Sequence, residues 1–419
     1  MNTTDLRPLP SHPSLEQYRK QAKDFVKACK TGDPESLWQV RKYHPRYLLP
    51  RNLVEAAKLR SGQLLESEVD TASFTLADAQ LVIARTYGFE SWPKFTKHLQ
   101  GLERKDSPIS TFERAADAIV TGDRAMLERL LGENQYLIRA RSARAHRAML
   151  LHYIAANGFE RFRQKTPKNI LEIAQILLNS GADVNAVADT YGKGTTLGLV
   201  ATSAHPKRAG VQIPLLELLL DHGADINGLE GTWSPVLAAL KNGCPEAAEF
   251  LARRGAKLDL ASAGGLGRLE LIKSFFDANR ATKEDIDSGF TLACLYGWTS
   301  VVEFLVEMGA DLRAEENTGQ TGLHCAVIGG HTDVIKLLLE RGAPLEALNV
   351  HGGTVLGQAL WCVINGSAEA DYISIIDTLL AAGARIEEGT LAWLAEQDSL
   401  SSPKRAHLAG VLRRYGAND

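Results

Sequence analysis

The sequence predicts an all-α fold built from helix–turn–helix units stacked side by side and joined by short hairpin fingers. Three observations carry that expectation. A Gly-Ala pair recurs at Gly181-Ala182, Gly223-Ala224, Gly255-Ala256, Gly309-Ala310, Gly342-Ala343, Gly383-Ala384 and Gly416-Ala417. The stretch from Thr318 to Val350, TGQTGLHCAVIGGHTDVIKLLLERGAPLEALNV, spells out one whole unit with a hairpin at each end. The 419-residue chain exceeds a single compact core, and an array in which each unit touches only its neighbours accommodates that length.

In the central stretch Thr321 stands where a short polar side chain caps a helix, and Leu323, Ala326 and Val327 follow at helical spacing. Gly329 and Gly330 end this first helix, because glycine accepts the left-handed backbone of a helix terminus. Asp333 opens the second helix. Val334, Ile335, Leu337, Leu338 and Leu339 supply its apolar face, and Gly342 closes it. Two short helices with one apolar side form no core alone, so copies must stack on either side.

The rest of the chain is read in order. Residues 1–13 hold Pro8, Pro10 and Pro13 and form an extended, mobile lead. A helix begins near Ser14 with Tyr18, Ala22, Phe25, Val26 and Cys29 on one face; Gly32-Asp33-Pro34 breaks it and ESLWQVRKYH starts the next. Pro50 to Phe74 is a long, less regular excursion. ADAQLVIARTYGFESWPKFTKHL repeats the rhythm, with Gly88 as breaker and Ser91 as a helix cap. Residues 14–104 thus form a small helical N-terminal domain, and GLERKDSPIS is the junction.

The array spans residues 111–419, with unit starts near Glu113, Met149, Thr196, Ser234, Leu258, Ser288, Thr321, Thr354 and Thr390. Between Gly255 and Leu258 one finger is deleted. Extra residues separate the paired helices at GFERFRQKTPKN, HPKRAGVQIP, NGSAEADY and near Ser401, and the hairpin before Thr196 is lengthened by TYGKG. The last unit places Arg413 and Arg414 where leucines would face a further repeat, as a capping unit requires.

The tetrad Thr321-Gly322-Leu323-His324, the Gly-His pair at Gly330-His331, the leucine run and the recurrent Gly-Ala together resemble the ankyrin repeat, whose period is about 33 residues. The resemblance implies an ankyrin-repeat solenoid, and the N-terminal helices read as degenerate ankyrin-like units covering its open end. The segments SLEQYRKQAKDFVKA, ADAQLVIARTYGFESWPKFTKHL and MLLHYIAANGFERF through to VATSAHPKRAGVQ are similar to a recurrent bacterial type of ankyrin-repeat protein. That likeness brings no established activity.

Composition narrows the function. With 47 basic and 50 acidic residues the formal net charge is -3, which argues against a whole-surface nucleic-acid binder but leaves room for a local basic patch. The five cysteines are scattered with no C-x-x-C pair, which suggests a reducing compartment and no metal cluster. The first residues lack the apolar run of a secretory signal, and no apolar segment reaches a membrane-spanning length. A cytoplasmic location is expected.

Inserts of repeat arrays often lie on the binding face. Between Arg139 and Lys168 stand Arg139, Arg141, Arg144, Arg147, Arg161, Arg163, Lys165 and Lys168 against one acid, Glu160; the next unit adds Lys193, His205, Lys207 and Arg208. Arginine forks hold carboxylates and phosphates, and Tyr153 and Tyr191 would add flat contact area. The competing reading is a solvated face with some of these side chains paired to distant acids. His152 and His324 occupy the tetrad histidine position, where the resemblance implies hydrogen bonds to neighbouring hairpin backbone. TYGKGTT lacks the spacing of a phosphate loop. Trp298 and Trp361 are expected to fill core or inter-repeat space.

The expected function is a non-enzymatic scaffold that holds another protein, one with acidic surface, through its concave face and inserts. No cofactor, metal or catalytic residue is expected. The alternative is an enzyme or a receptor for a small anionic ligand, with a pocket walled by the inserts of units two and three. No membrane partner is expected, and nucleic acid ranks last.

Overall fold

The computed structural model describes residues 6–10, 12–47, 69–316, 319–367 and 369–418. Thr318, most of the excursion from Pro50 to Phe74, and residues 1–5 of the lead lie outside the described residues. The chain divides into two compact units, residues 1–49 with 66–257 and residues 50–65 with 258–419.

The first unit opens with α1 (Leu15–Lys30), α2 (Pro34–Tyr43), α3 (Leu76–Thr86) and α4 (Trp92–Leu102). Their starts follow from capping chemistry. The Asp33 carboxylate accepts the Ser36 N–H at 2.9 Å, with Pro34 in the first turn where its missing donor is not needed. At α3, Thr75 and Asp78 cap each other's backbone. Tyr18, Ala22, Phe25 and Cys29 of α1 share one core with Val82 and Ile83 of α3 and Phe95 and Leu99 of α4. Val26, expected on the same face, packs at the edge of this core.

Four repeat pairs follow in this unit. They are α5 (Pro108–Thr121) with α6 (Arg124–Glu133); a 3₁₀ turn, Leu150–Ala155, with α7 (Ile170–Asn179); α8 (Thr196–Ala201) with α10 (Gln212–Asp221), the insert between them coiling as α9 (Ala204–Arg208); and α11 (Pro235–Lys241) with α12 (Pro245–Arg253). The first members touch one another in chain order and the second members do likewise, so each apolar face is buried against its neighbour. Helix α4 lies against α5. Gly101 makes room there, since a Cβ on it would stand 2.6 Å from Ile109 Cδ1.

The second unit pairs α13 (Leu260–Gly265) with α14 (Leu269–Asp277), α15 (Lys283–Tyr296) with α16 (Thr299–Glu307), α17 (Gly322–Gly329) with α18 (Thr332–Glu340), α19 (Val355–Asn365) with α20 (Tyr372–Ala381), and α21 (Thr390–Ala395) with α22 (Ser402–Arg414). One continuous cluster of buried side chains runs through it. Helix α18 starts at Thr332, one residue before Asp333. The expected missing finger is real: α12 ends at Arg253, Gly255 turns with φ 94, and Asp259 already caps α13 through the Ser262 N–H.

The fingers differ from expectation. Among the described residues the one paired ladder is β1 (Val187–Ala188) with β2 (Gly194–Thr195), beside a single bridge between Glu315 and Thr321. At the foot of a finger an aspartate turns the chain by accepting the N–H two residues on, as Asp183 does from Asn185, Asp225 from Asn227 and Asp311 from Arg313. These turns satisfy the backbone locally at the foot of the finger.

The tetrad histidines are structural, as the resemblance implied. His324 Nδ1 accepts the Thr321 N–H at 3.3 Å, and its Nε2 lies 3.4 Å from the Gly353 carbonyl in the next finger. His152 does the same with Met149 and, at 3.0 Å, the Ala186 carbonyl. Trp298 packs over Gly267 of the preceding repeat and donates to the Gly265 carbonyl at 2.8 Å. Trp361 corrects the expectation of core packing: its place on α19 leaves it 53 % exposed.

Candidate functional site

The basic cluster of the second repeat divides between interior and surface. The insert between the 3₁₀ turn and α7 folds back onto α5, and a second 3₁₀ turn, Arg161–Arg163, carries Arg163 inward. There Arg163 Nη1 meets Glu113 Oε2 at 2.9 Å and Glu160 Oε1 at 3.5 Å, and its Nε donates to Asp117 Oδ1 at 2.7 Å. Arg144 Nη1 meets Glu113 Oε1 at 2.6 Å and Glu160 Oε1 at 3.2 Å. His146 Nε2 and the Tyr153 hydroxyl approach the same Glu160 oxygen at 3.4 and 3.5 Å. Two guanidinium groups thus face two carboxylates out of contact with water. Burial alone would raise Glu113, but Arg144 and Arg163 more than offset it and hold its pKa at about 2. Glu160 is likewise pushed up by burial and held well below the usual carboxylate range by His146 and the same arginines.

A small pocket of about 190 Å³ opens beside this insert. Its floor comes from α8 and α11, with Gly198, Leu199 and Thr202 on one side and Ala238 and Asn242 on the other. Its rim is two fingers, one presenting Tyr191 and Lys193 and the next presenting Trp233. Tyr191 and Lys193 both hold left-handed backbone, with φ 48 and 89, a costly conformation for side chains with a Cβ. The finger is fixed from behind: the Thr190 hydroxyl donates to the Gly158 carbonyl at 2.8 Å, and a Cβ on Gly158 would stand 3.1 Å from the Tyr191 ring. Asn157 donates to Thr202 Oγ1 at 2.8 Å and to the Leu199 carbonyl at 3.2 Å, while its Oδ1 lies 3.5 Å from the Tyr191 hydroxyl. Tyr191 is 47 % and Trp233 56 % exposed. Lys193 is the one charged side chain of the lining.

The residues singled out from sequence are distributed as follows. Arg163 and Tyr153 are buried, which corrects the expectation that they face a partner: their polar ends are engaged by Glu113, Glu160 and Asp117. Arg141 is exposed but donates to the Arg147 and Val187 carbonyls at 2.9 and 2.7 Å, tying two fingers together. Lys207 donates to the Gly243 carbonyl at 2.8 Å and pairs with Glu246 at 2.9 Å. His205, half-buried on α9, is held low by desolvation and by Arg208. Arg139, Arg161, Lys165 and Arg208 are exposed. Only Tyr191 and Lys193 of the set meet at the pocket. Trp233, Asn157 and Asn242 were not foreseen; a tryptophan between Gly231 and Pro235, in a turn rather than a helix, was the available signal.

No helix among the described residues is long and apolar enough to cross a membrane. The family model for ankyrin repeats in three copies matches residues 258–349 and 290–389. No curated protein matches the chain. Solved structures do; the crystal structure of the human ASB11 ankyrin repeat domain is 23 % identical, with 57 % of this chain and 99 % of that chain covered and a TM-score of 0.28. The family match, together with the glycine-closed helix pairs it spans and the tetrad histidine His324 in one of them, identifies residues 258–389 as ankyrin repeats.

Proposed function

We propose that the chain is a non-enzymatic binding scaffold that grips a partner protein by seating one anchor side chain between Tyr191 and Trp233. Ankyrin repeats are generally protein-interaction modules, which supports the coarse reading. The pocket's size carries the finer one. Small-molecule sites usually measure about 300–1,000 Å³, and the roughly 190 Å³ here suits a single buried side chain of a larger partner. Exposed aromatic rings on a rigid support are the usual anchors of such contacts. Lys193 at the rim, with the exposed Arg139, Arg161, Lys165 and Arg208 on the same unit, favours an acidic segment flanking the anchor. The five free, buried thiols suit a reducing compartment such as the cytoplasm.

The test is capture from the native cell with quantitative mass spectrometry, comparing the wild type with Tyr191→Ala/Trp233→Ala and with Arg139→Glu/Arg161→Glu/Lys165→Glu. The aromatic pair should lower recovery of a specific partner at least about tenfold, since each central aromatic contributes about 2 kcal/mol or more. Charge reversal should lower it less and mainly at low salt. Equal recovery by all three proteins would refute the assignment.

A further inference from the structure

A second cleft, of about 650 Å³, lies between α4 and α5, away from the Tyr191 pocket. Its rim is cationic. Lys97, Arg104 and Arg147 all line it and all are exposed, while Lys94 is paired with Glu90 and Arg144 with Glu113 and Glu160. Three positive charges therefore remain over after the cleft's own acid is matched. The first turn of α5 borders the same space through Ser107, Pro108 and Ile109, and that turn holds no acidic residue to oppose the positive end of the helix.

One independent feature points to a ligand. His98 lines the cleft and is fully buried, yet neither of its ring nitrogens has a hydrogen-bond partner among the described residues. Its ring lies against Phe89, with centroids 4.7 Å apart. Buried polar groups are almost always satisfied, and an imidazole with two unpartnered nitrogens is an exception that calls for a partner. Burial and the neighbouring Arg144 and Arg163 lower its pKa to about 4, with Glu113 and Glu160 opposing them.

We propose that this cleft binds a phosphate group, with Lys97, Arg104 and Arg147 neutralising its charge and His98 hydrogen-bonding it from beneath. The inference does not depend on the partner-binding role of the Tyr191 pocket. Lysine and arginine side chains at a helix N-terminus supply the charge-assisted donors that phosphate oxygens accept. The cleft is also large enough for a phosphorylated small molecule and not merely a free ion.

The experiment titrates the full chain, at about 0.15 M salt to screen diffuse attraction, with inorganic phosphate and separately with glycerol 3-phosphate. Binding is read by calorimetry and by the His98 ring signals in nitrogen-correlated NMR. Saturable binding that shifts the His98 signals, and that weakens about tenfold or more in Lys97→Glu/Arg147→Glu, is the expected result. Tighter binding of the ester would mark a phosphorylated metabolite as the ligand, and equal binding the phosphate group alone. Lys97 and Arg147 are on the surface, so that variant keeps the fold; His98→Phe should abolish the same response without altering capture by the Tyr191 pocket. Absence of saturation with both probes, unmoved His98 signals, or full binding by the charge-reversed variant would overturn the proposal.

Discussion

Replacing Arg163 by methionine tests whether the buried ion network fastens the insert to α5. Methionine keeps the aliphatic stem of the side chain and removes its charge and donors. Two legs of the interaction must be weighed. The Asp117 leg is short, but that carboxylate is 57 % exposed, and exposed pairs are worth about 0–1 kcal/mol. The buried leg decides the outcome. Wild type balances Arg144 and Arg163 against Glu113 and Glu160; the variant leaves two carboxylates sharing one guanidinium. Removing one partner of a buried pair costs about 3–5 kcal/mol, and the loss should fall near about 3 kcal/mol because Arg144 still reaches both carboxylates. Repeat arrays need not unfold as one body, so a whole-molecule midpoint would dilute the effect. Hydrogen exchange on peptides covering residues 108–121 and 158–169 reads it locally. A loss of about 3 kcal/mol corresponds to exchange about a hundredfold faster. Adding Glu113→Gln restores a one-to-one balance and should recover more than half of the protection. Exchange within about twofold of wild type in Arg163→Met, or simple additivity in the double variant, would show that the network contributes little.

Acid should act in two windows. The folded pKa of His152 is lowered to about 4 by burial, so the unfolded state takes up a proton first and stability falls as pH drops from about 6.5 towards 4. Glu113, held at about 2, adds a second loss between about pH 4.5 and 2, by the same sign rule; urea midpoints at pH 7.5, 5 and 3.5 check both, and a flat profile contradicts them. Gly264→Ala should destabilise the second unit by about 1–3 kcal/mol, because the new Cβ would stand 2.5 Å from the Gly289 carbonyl oxygen and force α13 from α15; an unchanged midpoint would disprove that close approach. His324→Ala removes the bonds to Thr321 and the next finger and should cost about 1–2 kcal/mol in the same assay, leaving partner capture intact.

How much of this was readable from the residues follows from the range of the interactions. Helix caps at Ser14, Asp33 and Ser91, and glycine stops at Gly32, Gly88 and Gly330, are local, so their signals sit within four residues of the event they cause. The deleted finger before α13 was legible for the same reason, as a plain shortage of residues. The buried network was not. Arg144 is 31 positions from Glu113 and Arg163 is 46 from Asp117. In sequence these arginines look no different from the exposed Arg139 and Arg161, because nothing local records which of them turn inward. The extent of finger pairing was not legible either: an aspartate turns the chain at Asp183, Asp225 and Asp311 alike, yet a ladder follows Asp183 and a single bridge follows Asp311.

The network and the pocket are linked by a short run of chain, and this gives the insert a purpose beyond filling space. Glu160 and Arg163 fasten the insert to α5; Gly158, two residues before Glu160, accepts the Thr190 hydroxyl and leaves room for the Tyr191 ring. Tyr191 therefore holds its left-handed backbone on a support that the buried charges secure. If that support matters, Arg163→Met should weaken partner capture without touching the pocket, and should add little to a protein already lacking the Tyr191 ring. A double-mutant cycle of Arg163→Met with Tyr191→Ala measures this directly, with a coupling of about 0.5 kcal/mol or more expected and strict additivity showing that the two features are independent.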